Sequence, residues 1–117
     1  MVEIQGIGRF KFRDGEVEQF KKLSAQLMDI VQSKDTGTLQ YEIYFNDDQS
    51  ECIVLERYRD SEALVEHAGH IGNLGTAFPG LVSSELLGEP SDDLKSKLVG
   101  SGVLLFTPFL SLENVRR

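Results

Sequence analysis

The sequence has no tryptophan, only one cysteine, and fewer basic than acidic residues. Without a second cysteine, Cys52 cannot form an internal disulfide, which suits a reducing compartment, and it is most simply a small buried hydrophobe. Twelve lysines and arginines stand against 19 acidic residues, which gives a net charge of −7. The positive charges are also scattered, whereas phosphate backbones bind clustered basic side chains. We therefore expect no nucleic-acid partner.

Long apolar runs are absent as well. No stretch approaches the roughly 20 apolar residues that span a bilayer, so no membrane association is expected. The first residues, Met1 to Ile4, lack the basic and then apolar pattern of a secretory signal. We therefore expect a cytoplasmic protein, and the 117 residues suit one domain over positions 1–117.

The most informative stretch of the chain lies between Gly37 and His70. Apolar and polar residues alternate through residues 40–45, which predicts a strand, and a polar turn follows at 46–49. A second strand is predicted from Cys52 to Tyr58. One face of that strand carries Cys52, Val54, Glu56 and Tyr58, and this face is the first candidate for a functional site.

A helix is predicted after this hairpin, from Ser61 to about Gly69. Asp60 or Ser61 can cap its N-terminus, where an acidic residue also favours the helix dipole. The spacing places Ala63, His67 and His70 on one stripe, beside the apolar stripe of the helix. His67 is therefore expected next to the buried face.

The flanking segments give further elements. Residues 2–12 predict a strand, in which Gly6 and Gly8 indicate curvature, a bulge or the close approach of a ligand. Residues 16–33 repeat apolar side chains every three or four positions, which predicts an amphipathic helix. We expect this helix to end at residues 34–37, with Gly37 in the left-handed conformation.

The last third of the chain is less regular. Residues 69–80 are rich in glycine and predict an ordered loop or a short broken helix. A strand is expected over residues 81–88 and a short helix over residues 93–98. Residues 103–110 are apolar at both odd and even positions, which is typical of a strand covered on both sides, although Pro108 must lie at an edge or at its end.

This order predicts an α+β fold of the ferredoxin-like type. A β-α-β-β-α-β core forms an antiparallel sheet with two helices on one face, and an extra short helix and strand follow. The second face of the sheet is then uncovered. A second copy of the chain is the simplest cover, so we expect a homodimer through the open sheet face.

Several motifs resemble the antibiotic biosynthesis monooxygenase family. They are G-T-L-Q-Y-E at Gly37 to Glu42, the segment V-L-E-R-Y-R-D-S-E-A-L at Val54 to Leu64, and His67. The resemblance covers roughly Val2 to Ile71. It implies a dimeric α/β barrel of the predicted fold.

The resemblance also implies a class of activity. Members of the family include cofactor-independent oxygenases that oxidise quinols or polycyclic aromatic phenols. Haem-degrading relatives use a tryptophan, which this chain lacks. A monooxygenase acting on an aromatic phenol or quinol without a cofactor is therefore the leading prediction. The alternative is a non-enzymatic dimeric module that binds a small apolar ligand or a protein partner.

The residues suggest how such a site would work. His67 is the candidate catalytic base, because imidazole accepts a proton near neutral pH. Arg57 or Arg59 is a candidate to stabilise an anion. The candidate substrate-binding residues are Tyr44, Glu56, Tyr58, His70 and Phe78. Each of these also has a structural interpretation, such as packing, a dimer contact, or the pairing of Glu56 with Arg57, Arg59 or a helix N-terminus.

Other chemistries find less support in the sequence. His67 and His70 lie on one helix face, but zinc needs three or four ligands and the H-E-x-x-H motif is absent, so no metal is expected. Cys52 lies within a strand, and no G-x-S-x-G motif occurs, which argues against a cysteine or serine hydrolase.

Overall fold

The computed structural model describes residues 3–112. A four-stranded core with two helices comes first, and a short helix and strand follow. The strands are β1 (Ile4–Lys11), β2 (Thr38–Phe45), β3 (Glu51–Tyr58), β4 (Leu81–Leu87) and β5 (Leu104–Phe106); the helices are α1 (Glu16–Lys34), α2 (Ser61–Ile71) and α3 (Asp92–Leu98). The order of elements is the predicted one. Val2, where the first strand was expected to begin, lies outside the described residues.

The sheet has the order β2-β3-β1-β4-β5. The first four strands pair antiparallel, as predicted for the ferredoxin-like core. The last strand differs, because β5 pairs parallel to β4 and makes the sheet mixed. It lies at the edge and covers only three residues, with Leu104 and Phe106 more than half exposed. The predicted strand over residues 103–110 is therefore much shorter than expected, and its cover by a second copy stays a prediction.

Gly37 also differs from its prediction. It does not adopt a positive φ; helix α1 ends at the extended residue Asp35 instead. A Cβ atom at Gly37 would lie 2.5 Å from the Cβ of Ala63. The glycine is therefore needed for the close approach of the chain to α2, and its carbonyl accepts a hydrogen bond from the amide of Arg59 at 2.9 Å.

The predicted start of α2 is confirmed. Asp60 adopts an extended backbone, and its Oδ1 accepts a hydrogen bond from the amide of Ala63 at 2.8 Å. The helix continues to Ile71, two residues beyond the expected end. The short broken helix expected in the glycine-rich stretch is a 3₁₀ helix, Gly72–Ala77, none of whose residues is buried.

The core lies between the sheet and its helices, in two groups of buried side chains. One group joins Phe20 of α1 to Cys52 and Val54 of β3, as expected for Cys52. Burial raises the pKa of the Cys52 thiol to about 11. The second group joins Ile4, Leu86 and Leu94 beneath α3.

The other face of the sheet is open within residues 3–112. Tyr44, Ile53 and Phe106 are 53%, 37% and 53% exposed there. Ion pairs of Arg9 with Glu85 and of Arg57 with Glu3 lie among these side chains. No helix in the described part of the chain is long and apolar enough to cross a membrane.

Candidate functional site

A cavity of about 550 Å³ lies between the sheet and the helices α1 and α2. Its walls are mostly apolar and contain four aromatic rings. They also carry a few polar side chains. The residues that line it include Phe10, Phe20, Ser24, Tyr41, Glu56, His67, Ala68, Gly72, Gly75, Thr76, Phe78, Ser84 and Val103.

Asp35 positions the histidine of this cavity. Its side chain is only 2% exposed, directly after the end of α1. Nδ1 of His67 lies 2.6 Å from its Oδ2, and Nδ1 of His70 lies 2.7 Å from its Oδ1. Thr38 donates a further hydrogen bond to Oδ2 at 2.7 Å. One carboxylate thus binds both histidines of α2.

The charge of Asp35 fixes which imidazole nitrogen can act as a base. Burial alone would raise the pKa of Asp35, but hydrogen bonds from the two histidines and Thr38 outweigh it and hold the pKa below its usual range. An ionised carboxylate only accepts hydrogen bonds, so Nδ1 of His67 must carry the proton. In the neutral ring, Nε2 is then the nitrogen that can accept one.

Two tyrosine rings flank the imidazole. The ring centroids of Tyr41 and Tyr58 lie 5.7 Å and 5.2 Å from that of His67. Burial raises the pKa of both phenols, and the nearby charge of Glu56 adds to the effect. Both hydroxyls therefore stay protonated near neutral pH. His67 itself is 4% exposed, and the two tyrosine rings beside it carry no charge.

Glu56 is the second titratable group of the cavity wall. The hydroxyl of Tyr58 donates a hydrogen bond to its Oε1. Burial raises the pKa of Glu56, against the opposing effects of that hydrogen bond and of His67. The predicted ion pair of Glu56 with an arginine was wrong. Arg57 pairs with Glu3 and Arg59 pairs with Asp60, and neither arginine lines the cavity.

The structure separates the predicted site residues into two groups. His67, Glu56 and Phe78 line the cavity, and Tyr58 adjoins it through Glu56. His70 lies behind His67 on the shared Asp35. Tyr44 lies on the open face, where its hydroxyl donates to Glu42 at 2.6 Å. His70 and Tyr44 do not line the cavity, and neither Arg57 nor Arg59 does, so the structure does not bring these four predicted site residues to the cavity wall.

Three polar residues of the site were not predicted from the sequence. They are Asp35, Tyr41 and Ser24, whose Oγ is buried without a hydrogen-bond partner among residues 3–112. The signal for Tyr41 was its parity, because it shares a strand face with Ile43 and Phe45, which pack against the core. The signal for Ser24 was its place between Phe20 and Leu27, the two buried residues of α1.

A metal ligand set also lies near the site. Ligand atoms of Asp35, Glu66 and His70 lie within 4.8 Å of one another. The carboxylates already accept other hydrogen bonds, since Thr36 donates its amide to Glu66 at 2.9 Å and Thr38 donates to Asp35. A cation would have to displace these donors, and the absence of a metal stays a prediction.

Solved structures of similar fold come from several bacteria. MupZ from Pseudomonas fluorescens is 24% identical with a TM-score of 0.80, and the alignment covers 96% of this chain and 94% of that one. Rv0793 from Mycobacterium tuberculosis is 26% identical with a TM-score of 0.63, covering 77% and 96%. SnoaB, a cofactor-independent oxygenase from Streptomyces nogalater studied as its N63A mutant, is 18% identical with a TM-score of 0.59, covering 74% and 89%.

Two sequence comparisons gave different results. No curated protein matches the chain, whereas one family model does. The family model described as antibiotic biosynthesis monooxygenase matches residues 6–71, which is more than half of the chain and includes Tyr41, Glu56 and His67. The protein therefore belongs to the antibiotic biosynthesis monooxygenase family.

Proposed function

We propose that this protein is a cofactor-independent monooxygenase that oxidises an aromatic phenol or quinol, with His67 as the general base. The observation that carries the proposal is the pairing of His67 with Asp35 at 2.6 Å in the wall of an apolar cavity. A carboxylate that fixes the tautomer of a histidine leaves its other nitrogen free for proton transfer.

The cavity supports an aromatic ligand. Its volume of about 550 Å³ falls within the range of small-molecule sites. Phe10, Phe20 and Phe78 form part of its wall, and the ring centroids of Phe20 and Phe78 lie 5.4 Å apart. Aromatic walls favour stacked or edge-on contacts with a ligand ring. Ser24 adds a buried hydroxyl without a partner among residues 3–112, which a second polar group of the ligand can satisfy.

The residues support a reaction that needs no bound cofactor. His67 takes the phenolic proton, and the electron-rich phenolate then reduces dioxygen and forms a carbon–oxygen bond with it. Protonation gives a hydroperoxide at a ring carbon that carries hydrogen. The O–O bond of the hydroperoxide then breaks. Its terminal oxygen leaves as hydroxide and combines with the hydrogen of the ring carbon, lost as a proton, to give water, and that carbon becomes a quinone carbonyl. Glu56, kept neutral to higher pH by its burial, is the group placed to supply a proton.

The comparisons add weight to this chemistry. The matching family is named for monooxygenases, and SnoaB, of similar fold, is a cofactor-independent oxygenase. The phenol or quinol is the substrate class that the family resemblance implies, and the aromatic wall of the cavity is compatible with it. The cytoplasmic location stays a prediction of the sequence.

A second copy of the chain is proposed to cover the open sheet face, as the family resemblance implies. Tyr44 and Phe106 expose about half of their surfaces there. Oε2 of Glu85 is buried on that face without a hydrogen-bond partner among residues 3–112. A facing protomer would cover these apolar groups and offer donors to the carboxylate.

Two histidine variants test the proposed base. His67→Asn keeps a nitrogen donor toward Asp35 but removes the base, so oxygen uptake with a responsive quinol or polycyclic phenol should fall by about 10²–10⁴-fold. His70→Asn is the matched control, because His70 contacts the same carboxylate but does not line the cavity; its rate should stay within a few-fold of the native rate.

Oxygen consumption would be followed for a panel of quinols and polycyclic phenols. If the native protein raises uptake above the rate in free solution for none of them, the proposed reaction is wrong. Equal rates for the native protein and His67→Asn would remove His67 from the mechanism.

A further inference from the structure

A second cavity, of about 490 Å³, adjoins the first. It lies beneath α2 and α3, against β1, β3 and β4. Its apolar wall is mostly aliphatic, whereas four aromatic side chains line the cavity around His67. The aliphatic part includes Leu64, Val65, Leu86, Leu94 and Leu98, and Tyr58 adds one aromatic ring.

The two cavities meet at the buried carboxyl group. Glu56, Ala68, Ser84 and Val103 line both of them. Because Glu56 is common to both walls, a ligand that reaches it from the first cavity lies at the boundary of the second.

Gly6 keeps this junction open. It pairs with Glu56 in the sheet and lines the second cavity. A Cβ atom at this position would lie 3.7 Å from the Cβ of Glu56, in ordinary contact. Glycine within a strand costs stability. A side chain larger than alanine would extend into the space beside Glu56 and narrow the junction.

We propose that the two cavities form one site and that the substrate is a phenol or quinol with an aliphatic chain. The ring lies in the aromatic compartment beside His67, and the chain passes Glu56 into the aliphatic compartment. This inference rests on the proposed function. It adds the substrate class. Burial of an aliphatic chain against leucine and valine side chains favours binding in proportion to the apolar surface removed from water, and this effect does not depend on direction.

The test uses 4-alkylphenols of increasing chain length, from 4-methylphenol upward, with binding measured by titration calorimetry. In the native protein, affinity should rise about fourfold per methylene group until the second compartment is filled. Leu98→Trp fills that compartment and should remove the dependence on chain length, with the affinity for 4-methylphenol unchanged. Val99→Trp is the matched control, since Val99 is 82% exposed and lines neither cavity.

Gly6→Val, which narrows the junction from the opposite strand, is the second variant if Leu98→Trp does not fold. An affinity independent of chain length in the native protein, with 4-methylphenol bound, would overturn the two-compartment site. So would an unchanged dependence in both variants. Chain-dependent binding without oxygen uptake would overturn the proposed reaction and support the shared site. Failure of every phenol to bind would overturn both.

Discussion

Glu56 is a carboxyl group whose surroundings oppose its charge. Burial raises its pKa above the ordinary value of 4.5, despite the hydrogen bond from Tyr58 and the charge of His67. The folded protein therefore binds this proton more tightly than the unfolded chain does. Its contribution to stability is fully present below the ordinary pKa and is lost as pH rises through the raised one.

Glu56→Gln should remove this part of the pH dependence. Glutamine keeps an oxygen acceptor for the hydroxyl of Tyr58 but cannot ionise. We expect the free energy of unfolding of the native protein, relative to the variant, to decline as pH rises above about 4.5. Urea unfolding of both proteins over a pH series measures this difference.

Glu51→Gln is the control for this prediction, since Glu51 lies on the same strand and is exposed. It should leave the pH dependence unchanged. A constant difference between native protein and Glu56→Gln over the whole series would contradict the raised pKa.

Single residues of the site could be predicted only where a periodic pattern determined their face. Helical spacing placed His67 beside the buried stripe, and strand parity placed Glu56 and Tyr58 together. Asp35 could not be found in this way, because it lies 32 residues before His67, in an irregular segment. Its contact depends on the packing of α1 against α2, which no local pattern encodes.

At the scale of elements, the junction of α1, β2 and α2 depends on the absence of one side chain. Gly37→Ala should destabilise the fold by about 1–3 kcal/mol, as is typical of overpacking, because its Cβ would lie 2.5 Å from that of Ala63. Gly69→Ala should instead stabilise it by about 0.5–1 kcal/mol, as alanine does within helices. Apart from its chain neighbours and the nearby backbone of its own helix, no atom of the described residues lies within 4 Å of a Cβ at Gly69.

Chemical denaturation of the two alanine variants measures both effects. Their opposite signs form an internal control, since the same substitution is made in each. A stability of Gly37→Ala equal to that of the native protein would show that the chain can shift away from α2 at this point.

The elements of the first two thirds of the chain followed from the sequence, because each has one apolar face and clear end signals. The short length of the last strand and its parallel pairing did not. Residues 103–110 are apolar at every parity, and the pattern of a strand covered on both sides is the same as that of an exposed apolar edge. The two cases differ only in which strands lie beside β5. That strand pairs with β4, and helix α3 connects the two in the chain, so the pairing is not local in sequence.

At the scale of the whole molecule, the open sheet face predicts the assembly. Light scattering should give a mass of about twice the 13.1 kDa of one chain. Ile53→Lys should shift the protein toward monomer, because it places charge on an apolar surface that the proposed dimer would bury. Ile53 is 37% exposed in the single chain, so the fold itself should tolerate the change.

Gln26→Lys is the control, on the exposed side of α1 and away from the sheet. It should leave the mass unchanged. A native mass near 13.1 kDa would contradict the dimer, and an Ile53→Lys variant that stays dimeric would place the interface elsewhere.

The 3₁₀ helix Gly72–Ala77 has a consequence for the timing of a reaction cycle. Gly72, Gly75 and Thr76 form part of the wall beside the aromatic compartment, yet no residue of this helix is buried. Segments with so few buried contacts open at low free-energy cost, whereas a paired sheet does not. We therefore expect the exchange of a ligand between the cavity and the solvent to depend on the opening of this short helix.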